Sequence, residues 1–461
     1  MDHLKPLSFD ESLNFDVLVN DEGQNFAGTL KISPNETTLR VMGERPFSPE
    51  FSNSEIIECT SFRNSFLLTD IISTSFRNTN LRLSNPNHSG GFYEIEFLIG
   101  FVIKSTASIN KHSLFNGFHI FADMIKKWTD ITNKQTNLLS LGDNSFGLPS
   151  DNLILFETRL NTSGSIKISY EISSHTSLET ISSGIKITPY IDRLFVENKN
   201  IIDIYNEIKK LYSLITYFWG CDFLFNHINI SLANVLGAKT SAFFTTKEIE
   251  NVLNYPLIPL GLDMRTQIID YQGLPLSAFT AFYNLPENYS DFFTKYMRYK
   301  RLKSDEDKFL GYFRILEKLV HDEGFYVNPE LLENLLNRSE KYLINKFGSR
   351  KKDIKGLNSR IIKVNGSKYN TETCITRFFN TIPDGLKDIF EFTKDDLKKI
   401  CKLRNDITHA NEYFVSDIDL NLYTKFIHQI LIFAIYNKLL DLPLESLVPI
   451  SYSFDYSLSK L

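Results

Sequence analysis

The hydrophobic period of this chain changes once, and that change limits the folds open to it. Over residues 13–129 the apolar residues alternate in short runs, clearest at 15–19, 28–32, 38–41, 66–71 and 92–103. Between them stand Asp21-Glu22-Gly23, Ser33-Pro34-Asn35 and Asn85-Pro86-Asn87, whose side chains favour turns. A period of two sends alternate residues to one face, so these runs predict β-strands. A polar stretch at 133–150 reads as a linker, and strands resume at 153–158, 166–172, 185–189, 223–232 and 241–246. One helix interrupts them, predicted over 201–219 from Ile204, Ile208, Leu211, Ile215 and Phe218.

After about Leu276 the pattern becomes helical. Ser304 with Asp307 reads as a helix start, followed by Phe309, Phe313, Leu316 and Val320 on one face. Asn328-Pro329-Glu330 puts a cap, a first-turn proline and an acid in order, and Gly348 stands where that helix stops. Further helices are expected from Thr393 to about Ala410 and from Ser416 to about Leu440. The expected fold class is therefore α+β. A β-rich N-terminal domain, sandwich or barrel-like, takes 1–280, either whole or as two sub-parts divided near 135–150. An all-α helical bundle takes 281–461, the boundary falling between Gly273 and Pro286.

With 461 residues, 42% of them hydrophobic and 23% charged, the chain can bury a sizeable core. A net charge of -5 and a pI near 6.0 exclude a protein that coats nucleic acid by bulk charge, so any contact with it must be local. Cys59, Cys221, Cys374 and Cys401 are far apart, which suggests neither a disulfide framework nor a zinc site and fits a reducing, cytoplasmic setting. The first ten residues, with Asp2, His3, Lys5 and Asp10, lack the apolar run of a signal peptide, and the most apolar stretch, 427–435, is too short to span a bilayer. No membrane partner is expected. No G-x-x-x-x-G-K, H-E-x-x-H or G-x-S-x-G is present, so neither cofactor nor metal is called for.

Chemistry concentrates at Lys402-Leu403-Arg404-Asn405-Asp406-Ile407-Thr408-His409-Ala410. Arginine keeps its charge and grips phosphate with a fork of donors, whereas histidine exchanges a proton near neutral pH. At about 100° per residue, Ile400, Leu403, Ile407 and Ala410 define the core face, with Asn405 and His409 on the outward face. Arg404 and His409 then stand about 140° apart. They meet one phosphate only if the helix bends or a second subunit contributes. Glu317, beside the apolar face of the earlier helix, is placed to pair with Arg404.

The segment Arg404-Asn405-Asp406-Ile407-Thr408-His409 resembles the R-x(4–6)-H signature of HEPN ribonucleases. The whole chain resembles the ApeA-like anti-phage proteins, which join a β-rich N-terminal domain to a HEPN domain. Phe26-Ala27-Gly28-Thr29-Leu30-Lys31-Ile32, the stretch 97–103 and Lys127-Trp128-Thr129 carry the N-terminal part of that likeness. The resemblance implies a HEPN bundle and metal-independent RNA cleavage, in which the ribose 2′-OH attacks the adjacent phosphate. The ends left are a 2′,3′-cyclic phosphate and a 5′-OH. His409 would act as general acid or base, Arg404 would stabilise the phosphorane charge and Asn405 would orient phosphate or histidine. It also implies abortive infection, a homodimer through the HEPN domain, a phage-derived activator sensed by the N-terminal half and, by analogy, a tRNA-like substrate.

Plainer readings stand beside these. His409 also reads as a solvated surface histidine, and Arg404 as the structural partner of Glu317. The basic segment 349–368 reads as an exposed loop in which Lys351, Lys352 and Arg360 are candidates for RNA contact, although a charge run is more often a solvated face. Lys295, Arg298, Lys300, Arg301 and Lys303, interleaved with Tyr296 and Tyr299, are a second basic candidate whose tyrosines suit a core edge. A HEPN fold that binds without turnover, as an adaptor, and a purely structural dimerisation domain are the alternatives to the nuclease.

Overall fold

The computed structural model describes residues 5–451 apart from 22–23, 45–54, 83–88, 143–144, 146–147, 161–162, 178–181, 246–255, 261–276, 323 and 349. The turns expected at Glu22-Gly23 and Asn85-Pro86-Asn87, and Gly273 at the expected boundary, lie outside the described residues. The chain divides into two compact units, Met1–Asn284 and Leu285–Leu461.

In the first unit the alternating runs become an antiparallel sheet of β1 (Leu13–Asp21), β2 (Gln24–Ile32), β3 (Thr37–Glu44), β4 (Ile56–Thr60), β5 (Ser65–Arg82), β6 (Ser89–Ser105), β7 (Phe115–Phe121), β8 (Ile154–Leu160), β9 (Gly164–Ser177), β10 (Ser182–Lys199), β11 (His227–Leu232) and β12 (Thr240–Phe244). The order is β3-β2-β1-β4-β5-β6-β12-β11-β7-β10-β9-β8, and β3 also pairs with β6. The first six strands therefore close into a ring. β6 does two jobs: Phe92 to Leu98 pair with β3, and Phe101 to Ser105 pair with β12. Val17, Val19, Leu30, Ile32, Leu39 and Val41 alternate into the buried side, as a period of two requires.

The long β5–β6 pair bends at Asp70, a non-glycine residue at φ 59°, opposite Gly100. A Cβ on Gly100 would collide with the Asp70 carboxylate. That carboxylate accepts a hydrogen bond from Tyr205 Oη at 3.1 Å, which ties α3 (Ile201–Trp219) to the bend. α3 runs over the range that spacing predicts, with Asn200 capping its start and Gly220 at φ 85° ending it. Two smaller helices, α1 (Asp123–Thr129) and α2 (Asn133–Ser140), follow β7, and α4 (Ser277–Asn284) closes the unit against β8. The stretch expected to be a linker is thus partly helical, its start capped by Thr132. The strand expected over 223–232 begins only at His227, because Phe223 and Phe225 turn into an aromatic cluster with Tyr212.

The second unit is helical among its described residues: α5 (Glu287–Lys300), α6 (Asp305–Val320), α7 (Pro329–Phe347), α8 (Lys351–Asn365), α9 (Thr371–Thr381), α10 (Asp384–Lys387), α11 (Lys394–Thr408) and α12 (Asp417–Ala434). α12 is the central element and packs against α6, whose Phe309, Phe313, Leu316 and Val320 are all buried. By length and composition the stretch Asp417–Leu439 could cross a membrane, yet residues 426–436 are buried inside this unit, as in a core helix. The whole is an α+β protein, a β-barrel and sheet followed by a helical bundle.

One expectation is overturned. The basic segment 349–368 is not a loop, because α8 occupies Lys351–Asn365 and forms a hairpin with α7. Ile354 is buried, as is Leu336 on α7, and Asn358 Nδ2 donates to the Leu336 carbonyl at 3.4 Å. The packed face of α8 is Ile354 and Asn358, with Ile361 half-buried, whereas Leu357 and Val364 are exposed, and the surrounding lysines and Gly356 obscure the period. A mid-helix glycine costs only about 1 kcal/mol relative to alanine, which that packing offsets.

Candidate active site

α6 and α11 bring the chemistry together. Each starts from a polar cap. Ser304 Oγ accepts from the Asp307 backbone N–H at 3.2 Å. Thr393 and Asp396 form a reciprocal capping box, in which the Thr393 backbone N–H donates to Asp396 Oδ2 at 3.0 Å. Leu397, Ile400, Cys401 and Leu403 sink the inner face of α11 into the bundle, and α11 packs on both α9 and α6. Register along these two helices then places Arg404 beside Glu317.

Arg404 is half-buried and uses its fork twice. Nη2 donates to Glu317 Oε2 at 2.6 Å, and Nη1 donates to Asn405 Oδ1 at 2.9 Å. The guanidinium carbon also stands 5.8 Å from the Phe313 ring centroid. Side-chain exposures of 22% for Arg404 and 19% for Glu317 put the pair at the rim of the core, where a charge-assisted bond is shielded yet reachable. The fork has five N–H donors, so these two bonds leave others to face an anion. The neighbouring Cys401 is buried, and that burial pushes its thiol up to about 12.

His409 is exposed and sits at the end of α11, at φ -95° and ψ 7°. Its backbone N–H still closes a helical bond to the Asn405 carbonyl at 2.9 Å. Ala410 then turns left-handed at φ 52°, and the Asn411 N–H returns to the Asp406 carbonyl at 2.9 Å. The helix therefore stops at Thr408, two residues before the expected end. Ala410 is exposed rather than part of the core face, and Ile407 is only half-buried. With its N–H still on the Asn405 carbonyl, His409 follows on from the helical turn, so the separation of about 140° from Arg404 stands within one chain.

Lys351, Lys352 and Arg360 lie on α8, exposed, with Lys351 Nζ 4.0 Å from Glu340. Their hairpin is tied to 326–327 through Asn365, which exchanges bonds with the backbone of Val327. Tyr296 and Tyr299 of the other basic stretch are packing residues. Tyr296 is buried and bonded to His428 Nε2 at 2.8 Å, and the Tyr299 ring fills the space left by Gly311.

His428 itself is a buried imidazole on α12 that the sequence reading passed over. It stacks on Tyr312 at 4.6 Å, and burial, with Lys300 and Lys308 near, holds its pKa well below the ordinary value. Beside α11 a cleft of about 600 Å³ opens, lined by Lys399, Leu403, Tyr413 and Phe414 among others, but not by Arg404, Asn405 or His409. Among the described residues no group of three or more His, Cys, Asp or Glu side chains could hold a metal ion.

Residues 310–443, which include Glu317, the α7–α8 hairpin and all of α11, match the model of a family described as Apea-like HEPN. No curated protein and no solved structure matches the chain.

Proposed function

From the premise that residues 310–443 make this an Apea-like HEPN protein, we propose that its C-terminal unit is a metal-independent endoribonuclease of anti-phage defence. One observation carries the reading. Arg404 is braced by Glu317 and Asn405 at the rim of the core, a few residues from an exposed imidazole at a helix end. A braced cation and an exposed acid–base group carried on one segment are what transfer at a phosphodiester needs.

In the proposed reaction His409 takes the proton of a ribose 2′-OH, the 2′-oxygen attacks phosphorus and the P–O5′ bond breaks. The departing 5′-oxygen is protonated by a second acid, leaving a 2′,3′-cyclic phosphate and a 5′-OH. Arg404 stabilises the charge of the phosphorane. One chain offers one such imidazole at this motif, so a homodimer that sets two motifs in one cleft supplies both the base and the acid. The protein acts in the cytoplasm, on RNA of the tRNA kind, and its N-terminal unit senses a phage product.

The Arg404–Glu317 bond also suits a scaffold without turnover, in which arginine only braces α11 on α6. Wild-type protein and His409→Ala, incubated with total RNA in excess EDTA, separate the readings. The nuclease predicts fragments from the wild type alone. If purified protein is inert for want of its activator, survival of phage-challenged cells carrying either form decides, and equal survival supports the scaffold.

A further inference from the structure

A second cluster of reactive side chains lies on three neighbouring strands of the N-terminal unit. The register sets Asp192 of β10 opposite His119 of β7, with Asn229 of β11 on the other side of the same histidine. Ser231 lies two residues beyond Asn229, and a period of two puts all four side chains on one face. Opposite Ser231 stands Gly117, which presents no side chain to separate hydroxyl from imidazole. A bulge between Ser231 and Leu232 re-aims the strand at this point.

The distances form a relay. Ser231 Oγ is 3.2 Å from His119 Nε2, and His119 Nδ1 is 3.2 Å from Asp192 Oδ1. Nδ1 and Oδ1 are close enough to face each other, and neither has another hydrogen-bonding partner among the described residues. Asp192 is only 8% exposed, with that imidazole as its neighbour, whereas the His119 side chain keeps 28% of its surface open. A carboxylate at Nδ1 favours the tautomer with its proton there and frees Nε2 to accept from a hydroxyl. Buried Phe121 stacks on His227 at 4.3 Å and on Tyr190 at 5.0 Å, and these two half-buried rings stand beside the relay, Tyr190 at 5.7 Å from His119.

We infer that Ser231 and His119, positioned by Asp192, form an acyl-transfer centre for small carboxylic esters whose apolar or aromatic acyl group rests on the half-buried rings of Tyr190 and His227. Ser231 Oγ attacks the carbonyl carbon and its proton passes to His119 Nε2. The C–O bond to the alcohol breaks, and the leaving oxygen takes that proton. Water then repeats the sequence on the acyl-serine, giving the carboxylic acid and restoring the hydroxyl. The Asn229 carboxamide is the side-chain donor on this face for the developing oxyanion. The centre shares no residue with the Arg404 motif and owes nothing to the ribonuclease reading.

The test uses full-length protein with an alkyl fluorophosphonate and with p-nitrophenyl butyrate and benzoate. A single adduct is expected on Ser231, absent in Ser231→Ala, about 100-fold slower or more in His119→Ala, and unchanged in His409→Ala. Ser231→Cys gives an independent reading, because Cys59, Cys221, Cys374 and Cys401 are all buried. Iodoacetamide should alkylate the new thiol faster with His119 present than with His119→Ala. No adduct on Ser231, or rates that ignore His119 in both experiments, would overturn the proposal and leave a structural polar ladder.

Discussion

Arg404 meets two demands with one guanidinium: it holds Glu317 at 2.6 Å and Asn405 at 2.9 Å. A lysine cannot do both, having a point charge and no planar fork. Arg404→Lys is therefore expected to lose about 100-fold or more in RNA cleavage while remaining folded, as single-turnover rates beside a thermal melt would show. Glu317→Gln keeps an acceptor but removes the charge, so a milder loss is expected, and Glu317→Ala should cost more in both activity and stability because a half-buried cation is left short of a partner. Side-chain spacing places Glu317 beside the apolar face of its own helix, and the expected pairing with Arg404 is met by the 2.6 Å bond between the helices. The end of α11 was not legible, since no glycine or proline marks it. Ala410 adopts the left-handed turn, and Asn411 answers Asp406 through both backbone and side chain.

Helices with polar caps were the readable elements. Asn200, Ser304, Asn328, Thr393 and Ser416 each accept a backbone N–H where the sequence opens an apolar period. Thr393→Ala removes half of a capping box and should cost about 1 kcal/mol, measured as a lower urea midpoint of the second unit. α8 escaped because its charges outnumber its apolar residues and its packing partner, α7, is a separate segment.

His428 adds a pH dependence to α12. Its folded pKa lies below the unfolded value of 6.5, so the unfolded chain binds the proton first as pH falls. Its contribution to stability is full above about pH 6.5 and declines below it, by up to about 1.4 kcal/mol per pH unit. Urea midpoints at pH 7.5 and 5.5 should diverge in the wild type, and His428→Gln should narrow that gap. An unchanged gap would contradict the assignment.

At the scale of the molecule, strand alternation foretold a β-rich half, sandwich or barrel-like, without deciding between the two. The β3–β6 pairing joins residues 48 to 60 positions apart, from Glu44↔Phe92 to Thr38↔Leu98, and no local pattern encodes it. Strands β4 and β7 were likewise silent, β4 being short and β7 buried on both faces at Phe118, Ile120 and Phe121. The motif was visible because its residues are contiguous, whereas the Ser231–His119–Asp192 relay is assembled from three strands and leaves no signature. The central claim is that the helical unit cuts RNA through the ribose 2′-OH, without metal. The most direct measurement offers the protein, in excess EDTA, an oligonucleotide with ribose or 2′-deoxyribose at its cleavage position. A cyclic phosphate and a 5′-OH are expected from the ribose strand, with no cut at the deoxy position. Equal cutting of both strands, or 5′-phosphate ends, would contradict it.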